Sequence, residues 1–341
     1  MQVSSAPGKL ILSGEHAVIY GNPALGVAVK DEVCIDITPN AQCDIRLSSP
    51  LLGAPQVLTT ESITAQYEKI NNRYQQFLQQ QCTIQDVITT PEQLLIATLH
   101  LALTHCQGQN NPAINITLNS TIPPGSGLGS SAAAILSLLL GLCAYFKHPL
   151  TKDQAFRFAL QAENLQHGHS SGIDISLSLA GGCQWYQQQQ LKPRKIPQLP
   201  LYILFTGQPI CSTGECVSHV KTILANNKPL LHQFAEVTGQ ISDACEHNNY
   251  ELVKQGIKEN HRLLCQIEVV PIIVREMIKV IEKFGDAAKI CGAGAVRGDK
   301  AGYVLLLCNE DPLVKYKKYD WARDIKKLAI NPDGAKPLCG A

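Results

Sequence analysis

The chain has 341 residues, 45% of them hydrophobic and 17% charged, with a formal net charge of +1 at pH 7. That composition describes a compact folded protein rather than a disordered one, and the length suits two subdomains better than a single core. The near-zero charge leaves no electrostatic case for nucleic acid or an anionic membrane surface as a partner.

The first residues carry no basic segment followed by an apolar one, so no secretory leader is expected. Strand-like runs at Lys9 to Ser13, Ala24 to Val29 and Val33 to Thr38 are expected to be broken by Pro7-Gly8, Gly21-Asn22-Pro23 and Pro39-Asn40. Lys9 opens the first run and Gly14-Glu15-His16 closes it. A lysine and an acid at strand ends are ordinarily exposed charges, and that reading stands beside a functional one. Residues 64–81 look like an amphipathic helix with a glutamine-rich, solvated side. Residues 91–106 form a clearer helix, with Pro91 in its first turn and Leu94, Leu95, Ala97, Leu99 and Leu101 mostly inward.

The period-two pattern of Ile114, Ile116, Leu118 and Ile122 predicts a half-buried strand, and Ser130 to Tyr145 is apolar nearly all round, as in a buried helix. Between them, Pro124-Gly125-Ser126-Gly127-Leu128-Gly129-Ser130-Ser131 reads as a phosphate cradle. Small residues let backbone N–H groups converge on an anion, and the helix start adds about half a positive charge. The serine pair sits where a helix N-cap belongs, so one hydroxyl can cap while the other faces phosphates or a cation. The loop lacks the Lys-Ser/Thr ending of a Walker A loop and the spacing of the dinucleotide G-x-G-x-x-G motif. A plain tight turn into a buried helix is the alternative.

In a helix over 152–166, a 100° step places Glu163 among Phe156, Ala159 and Leu160 on the apolar face. A carboxylate there is costly unless it is paired or holds a metal. A structural ion pair or a different helix phase would also account for it. His169-Ser170-Ser171-Gly172-Ile173-Asp174 places an acid in a small-residue turn, either as a turn cap or as a general base. His167 and His169 lack a third ligand nearby and read as neutral loop histidines.

Gly181-Gly182 and Gln187–Gln190 mark turns or a hairpin, and the prolines of 193–200 mark a boundary between subdomains 1–199 and 200–341. Helices at 229–247, 249–263 and 271–284 precede a second small-residue loop, Cys291-Gly292-Ala293-Gly294-Ala295. A strand at Gly302 to Leu307 and a terminal helix near 312–328 follow. Strands followed by helices in each half make the fold class α+β. The thirteen cysteines are odd in number and show no CxxC pair, as expected of free thiols in a reducing cytoplasm. The longest apolar run, within 132–144, is too short to span a bilayer.

Ala6-Pro7-Gly8-Lys9-Leu10 through Leu25, Pro123 to Ala133, and His167 to Asp174 with Gly181-Gly182 together resemble the motifs of the GHMP small-molecule kinases. The Glu15-His16-Ala17-Val18 form is most similar to the mevalonate-kinase branch. The resemblance covers most of residues 4–183 and is weak beyond. It implies a two-subdomain fold with the active site in the cleft between the halves. The implied reaction transfers phosphate from ATP, with Mg²⁺, to the 5-hydroxyl of mevalonate, or to phosphomevalonate or another small alcohol in a sibling enzyme. A non-catalytic metabolite-binding relative is a further alternative.

Carried over residue by residue, Asp174 would take the hydroxyl proton and Lys9 would lower that hydroxyl's pKa. Ser131 and Glu163 would hold Mg²⁺. The backbone of Pro124 to Ser130, with Gly292, Ala293 and Gly294, would wrap the phosphates. Glu15, His16 and Thr213 would line the acceptor side. The third motif departs from the family's GAGGGG pattern by continuing Ala295-Val296-Arg297-Gly298, and Thr213 follows the family's threonine segment with one extra residue. Members of the family are often dimers, so the resemblance also implies a homodimer, and the free thiols imply a cytoplasmic location.

Overall fold

The computed structural model describes residues 2–42, 44–49, 52, 54–106, 112–123 and 125–338. Its larger sheet is built on β1 (Gln2–Ser13) and β2 (Ala24–Pro39), a long antiparallel pair. β3 (Ile45–Ser48) and β4 (Gln56–Leu58) form its far edge, beyond β5 (Ile114–Ser120), which pairs with β2. Helices α1 (Thr60–Leu78) and α2 (Pro91–His105) precede β5, and α3 (Ser130–Tyr145) follows it. α3 packs on β1 and β2, buried from Ala132 to Cys143, which is why its sequence is apolar on every side. α4 (Lys152–His167) and α5 (Ile173–Ala180) pack beside it, followed by the hairpin β6 (Cys183–Gln187) and β7 (Gln190–Arg194), with β6 on β2.

The second sheet is wholly antiparallel, with its strands in the spatial order 325–327, 201–205, 303–307 and 287–290. It consists of β8 (Leu201–Phe205), β9 (Ala287–Ile290), β10 (Tyr303–Leu307) and β11 (Ile325–Lys327). Between β8 and β9 run α6 (Thr213–Leu224), α7 (Lys228–Glu246), α8 (Tyr250–Gln266) and α9 (Ile272–Lys283). The chain then returns to the first sheet. Asn331 donates to the Ala28 carbonyl, Ala335 donates to that of Ser178, and β12 (Lys336–Pro337) pairs with β1.

Three local expectations are corrected. Pro7-Gly8 does not break the first strand: β1 runs through both residues, with an irregular register between Pro7 and Lys9. A proline is tolerated where the ladder is already interrupted. The terminal helix over 312–328 is instead a single turn, α10 (Pro312–Lys315), then a 3₁₀ turn at Asp320–Asp324, then β11. There the rings of Phe284, Tyr316, Tyr319 and Trp321 gather into one cluster, and that tertiary packing overrides helical continuity. Asp174 sits not in a loop but in the first turn of α5. Cys143, Cys183, Cys291 and Cys308 are buried thiols without disulfides, and no described helix is long and apolar enough to cross a membrane.

Candidate active site

A cleft of about 300 Å³ lies where β1, the loop before α3, the facing ends of α4 and α5, and the loop after β9 converge. Gly125, Gly127 and Gly129 have φ of 65°, 85° and 73°, a region that side-chain-bearing residues rarely adopt. Space also demands glycine at position 129, since a Cβ there would stand 2.8 Å from Cγ of Lys9. The loop is tied from both sides of the cleft. Lys9 N–H donates to the Leu128 carbonyl at 2.8 Å, and Tyr303 N–H donates to that of Ser126 at 3.1 Å. Leu128 itself is buried in the core and serves as an anchor, while Gly125, Ser126, Gly127, Gly129 and Ser130 line the cleft. Pro124 lies outside the described residues.

The serine pair does not cap α3. Gly129, left-handed, occupies the N-cap position without a side-chain cap, so Ser130 and Ser131 form the first turn. Both line the cleft, beside helix N–H groups that have no partner within the helix.

Lys9 is 4% exposed, so the exposed-charge reading does not hold. Its Nζ lies 3.1 Å from Oδ1 of Asp174, which the left-handed Gly172 brings onto α5. Glu163 is 2% exposed on the inner face of α4. Burial, with Asp174's charge second, pushes its carboxyl up to about 8, against the Ser170 hydroxyl, which donates to Oε2, and the charge of Lys9. A buried carboxyl so raised beside a second carboxylate suits a cation. No group of three or more His, Cys, Asp or Glu able to hold a metal exists among the described residues. Mg²⁺ does not need one, because it is commonly bound by one or two carboxylates together with substrate phosphates and water. Glu163 and the Ser131 hydroxyl, on the same cleft, fit that mode. His167 is the last residue of α4 rather than a loop histidine and is half-buried, and desolvation lowers its pKa, which favours the neutral ring.

At the end of β1, Gly14 has φ of 96° and turns the chain so that Glu15 and His16 enter the cleft wall. His16 Nε2–H donates to the Ala293 carbonyl at 3.0 Å, and burial lowers the ring to about 4. Thr213 opens α6 behind its N-cap, Ser212, and also lines the cleft, as do Gly292 and Ala293. Gly294 instead borders an adjoining hollow of about 660 Å³ that shares Gly125, Gly127 and Thr213 with the cleft. Beyond it the chain turns away. Ala295 N–H donates to the Val269 carbonyl, and Arg297 pairs with Glu215 on α6 at 2.9 Å, so the divergent continuation lines neither space.

Two residues were not anticipated. Lys289, wholly buried on β9, pairs with Glu15; its signal was a lysine inside the otherwise apolar run Ala287-Ala288-Lys289-Ile290. Gln166, near the end of α4, lines both spaces with a buried Oε1 that has no partner, and nothing in its spacing marked it.

Residues 93–182, which hold α3, α4 and α5, match the GHMP kinases N terminal domain family. The Bos taurus mevalonate kinase is 27% identical over 339 residues, covering 89% of this chain and 85% of that one. The crystal structure of the Methanococcus jannaschii mevalonate kinase superposes with a TM-score of 0.79 at 21% identity, covering 96% and 98% of the two chains. A Streptococcus pneumoniae phosphomevalonate kinase in complex with phosphomevalonate and AMPPNP superposes at 0.71 with 18% identity, covering 99% and 100%.

Proposed function

We propose that this chain, a kinase of the GHMP fold, transfers the γ-phosphoryl group of ATP to the 5-hydroxyl of mevalonate. The observation that carries the reading is the pairing of buried Lys9 with half-buried Asp174, 3.1 Å apart, in the cleft that the glycine loop also lines. Asp174, 28% exposed at its side chain, is open to a bound alcohol and receives its proton. Lys9 stabilises the charge that builds on the acceptor oxygen, and its pairing with Asp174 keeps both groups oriented. N–H groups of residues 125–130 and 292–294 cradle the phosphates, with the nucleoside directed to the adjoining hollow. Mg²⁺, held by Ser131 and Glu163, would neutralise phosphate charge during transfer. On this reading residues 1–199 carry most of the nucleotide site, and residues 200–341 close it with Thr213 and the loop 292–294.

A phosphorylated acceptor is the second reading, motivated by the fold shared with phosphomevalonate kinase. Against it, no arginine lines either space among the described residues, and Lys9 is the one lysine there. An ADP-release assay against mevalonate, 5-phosphomevalonate, homoserine and galactose tests the choice. Mevalonate should give the highest kcat/KM, and a higher value for 5-phosphomevalonate would replace the proposal.

A further inference from the structure

Lys289 and Glu15 form an ion pair whose side chains are 0% and 1% exposed, joining β9 of the second sheet to the end of β1 in the first. Withdrawing two charges from water is repaid only when their remaining hydrogen-bonding capacity is met. Here it is not. Lys289 Nζ has Oε1 of Glu15 and, at 3.4 Å, the Ile11 carbonyl. Oε2 of Glu15 is buried without any partner in the protein. Yet Glu15 lines the same cleft as Lys9 and Asp174.

We propose that Lys289 is a positioning residue that holds one oxygen of Glu15 so that the other accepts a hydrogen bond from a second hydroxyl of the acceptor. This rests on the alcohol-kinase reading above and narrows it to acceptors with a second hydroxyl beside the one phosphorylated. Other groups facing the pair do not replace Lys289. Lys9 on β1 is engaged by Asp174, the Cys291 thiol is raised to about 11 by burial, and His16 and His261 are lowered to about 4 and stay neutral. Arg275 on α9 faces His261 and hydrogen-bonds the Val270 and Cys265 carbonyls. Burial raises the Glu15 carboxyl, and Lys289 is the largest influence opposing that rise.

The test compares acceptor KM, ATP KM and kcat across pH 6.5–9 for the parent, Lys289→Met, Lys289→Arg and the charge-free double variant Glu15→Gln/Lys289→Met. Loss of a charged hydrogen bond should raise the acceptor KM of Lys289→Met about 10–100-fold while ATP KM and kcat move little. That KM should fall as pH rises and Glu15 re-ionises, and Lys289→Arg should restore much of the parental value. The double variant, which leaves no uncompensated buried charge, should keep the high KM without the pH dependence. Parental acceptor KM and pH profile in Lys289→Met or in the double variant would overturn the proposal. The parent is also assayed with mevalonate and its 3-deoxy analogue, a readout independent of variant folding. The analogue should lose tenfold or more in kcat/KM, and equal use of both would overturn the inference alone. A parent that phosphorylates no alcohol would instead overturn the function it rests on.

Discussion

Asp174→Asn retains size but cannot accept a proton, so it should keep ATP binding while kcat drops about 10²–10⁴-fold. Turnover within a few-fold of the parent would leave Asp174 only a role in the first turn of α5. Lys9→Met removes charge from a group 4% exposed, where electrostatic deletions cost about 10²–10³-fold, and kcat should fall more than KM rises. For Glu163, burial lifts the folded carboxyl from 4.5 to about 8, so its ionisation opposes folding. The metal-free protein should therefore lose stability as pH rises from about 4.5 through 8, and Glu163→Gln should flatten melting temperature across that window. The same raised pKa means a proton must leave before a cation is held. The Mg²⁺ needed for half-maximal activity should fall as pH rises in the parent and be higher and pH-insensitive in Glu163→Gln. An unchanged Mg²⁺ titration would remove the metal assignment.

Individual elements carry their own demands, and the glycine loop into α3 is the strictest. Gly129→Ala puts a side chain in a left-handed conformation, costing about 1–2 kcal/mol, and pushes against the Lys9 stem. Lower thermal stability should accompany a loss of kcat larger than the fold change explains. Ser130→Ala, by contrast, should leave thermal stability nearly unchanged, because the capping position belongs to Gly129. A loss of about 1 kcal/mol or more there would reinstate the serine as a cap.

Across the whole molecule, the C-terminal segment binds the second sheet's chain back to the first. Asn331 meets Ala28, and Ala335 meets Ser178 on α5, the helix that presents Asp174. A chain ending at Leu328 loses these backbone bonds, each worth about 1 kcal/mol. Its melting temperature should drop by several degrees and its kcat should fall with it. A truncated chain with parental kcat would show that α5 holds Asp174 without this support.

The strand–glycine loop–helix unit was legible in the sequence, because its glycines, alternating Ile114-to-Leu118 pattern and all-apolar helix are local signals with local causes. Glu163 was legible for the same reason, as a charge on the wrong face of a helical period. Short elements hid. α5 is eight residues of nearly alternating apolar positions, which carry too little periodicity to separate helix from turn. Lys9 looked like an exposed strand end because its burial depends on a strand that continues through Pro7-Gly8 and on the loop lying across it. The sequence by itself determined where charge, small size and backbone freedom lie along the chain, since these belong to each residue. Which charges pair was decided by the tertiary structure alone. Lys9 with Asp174, and Glu15 with Lys289, are separated by 165 and 274 positions along the chain, and only long-range packing brings them together.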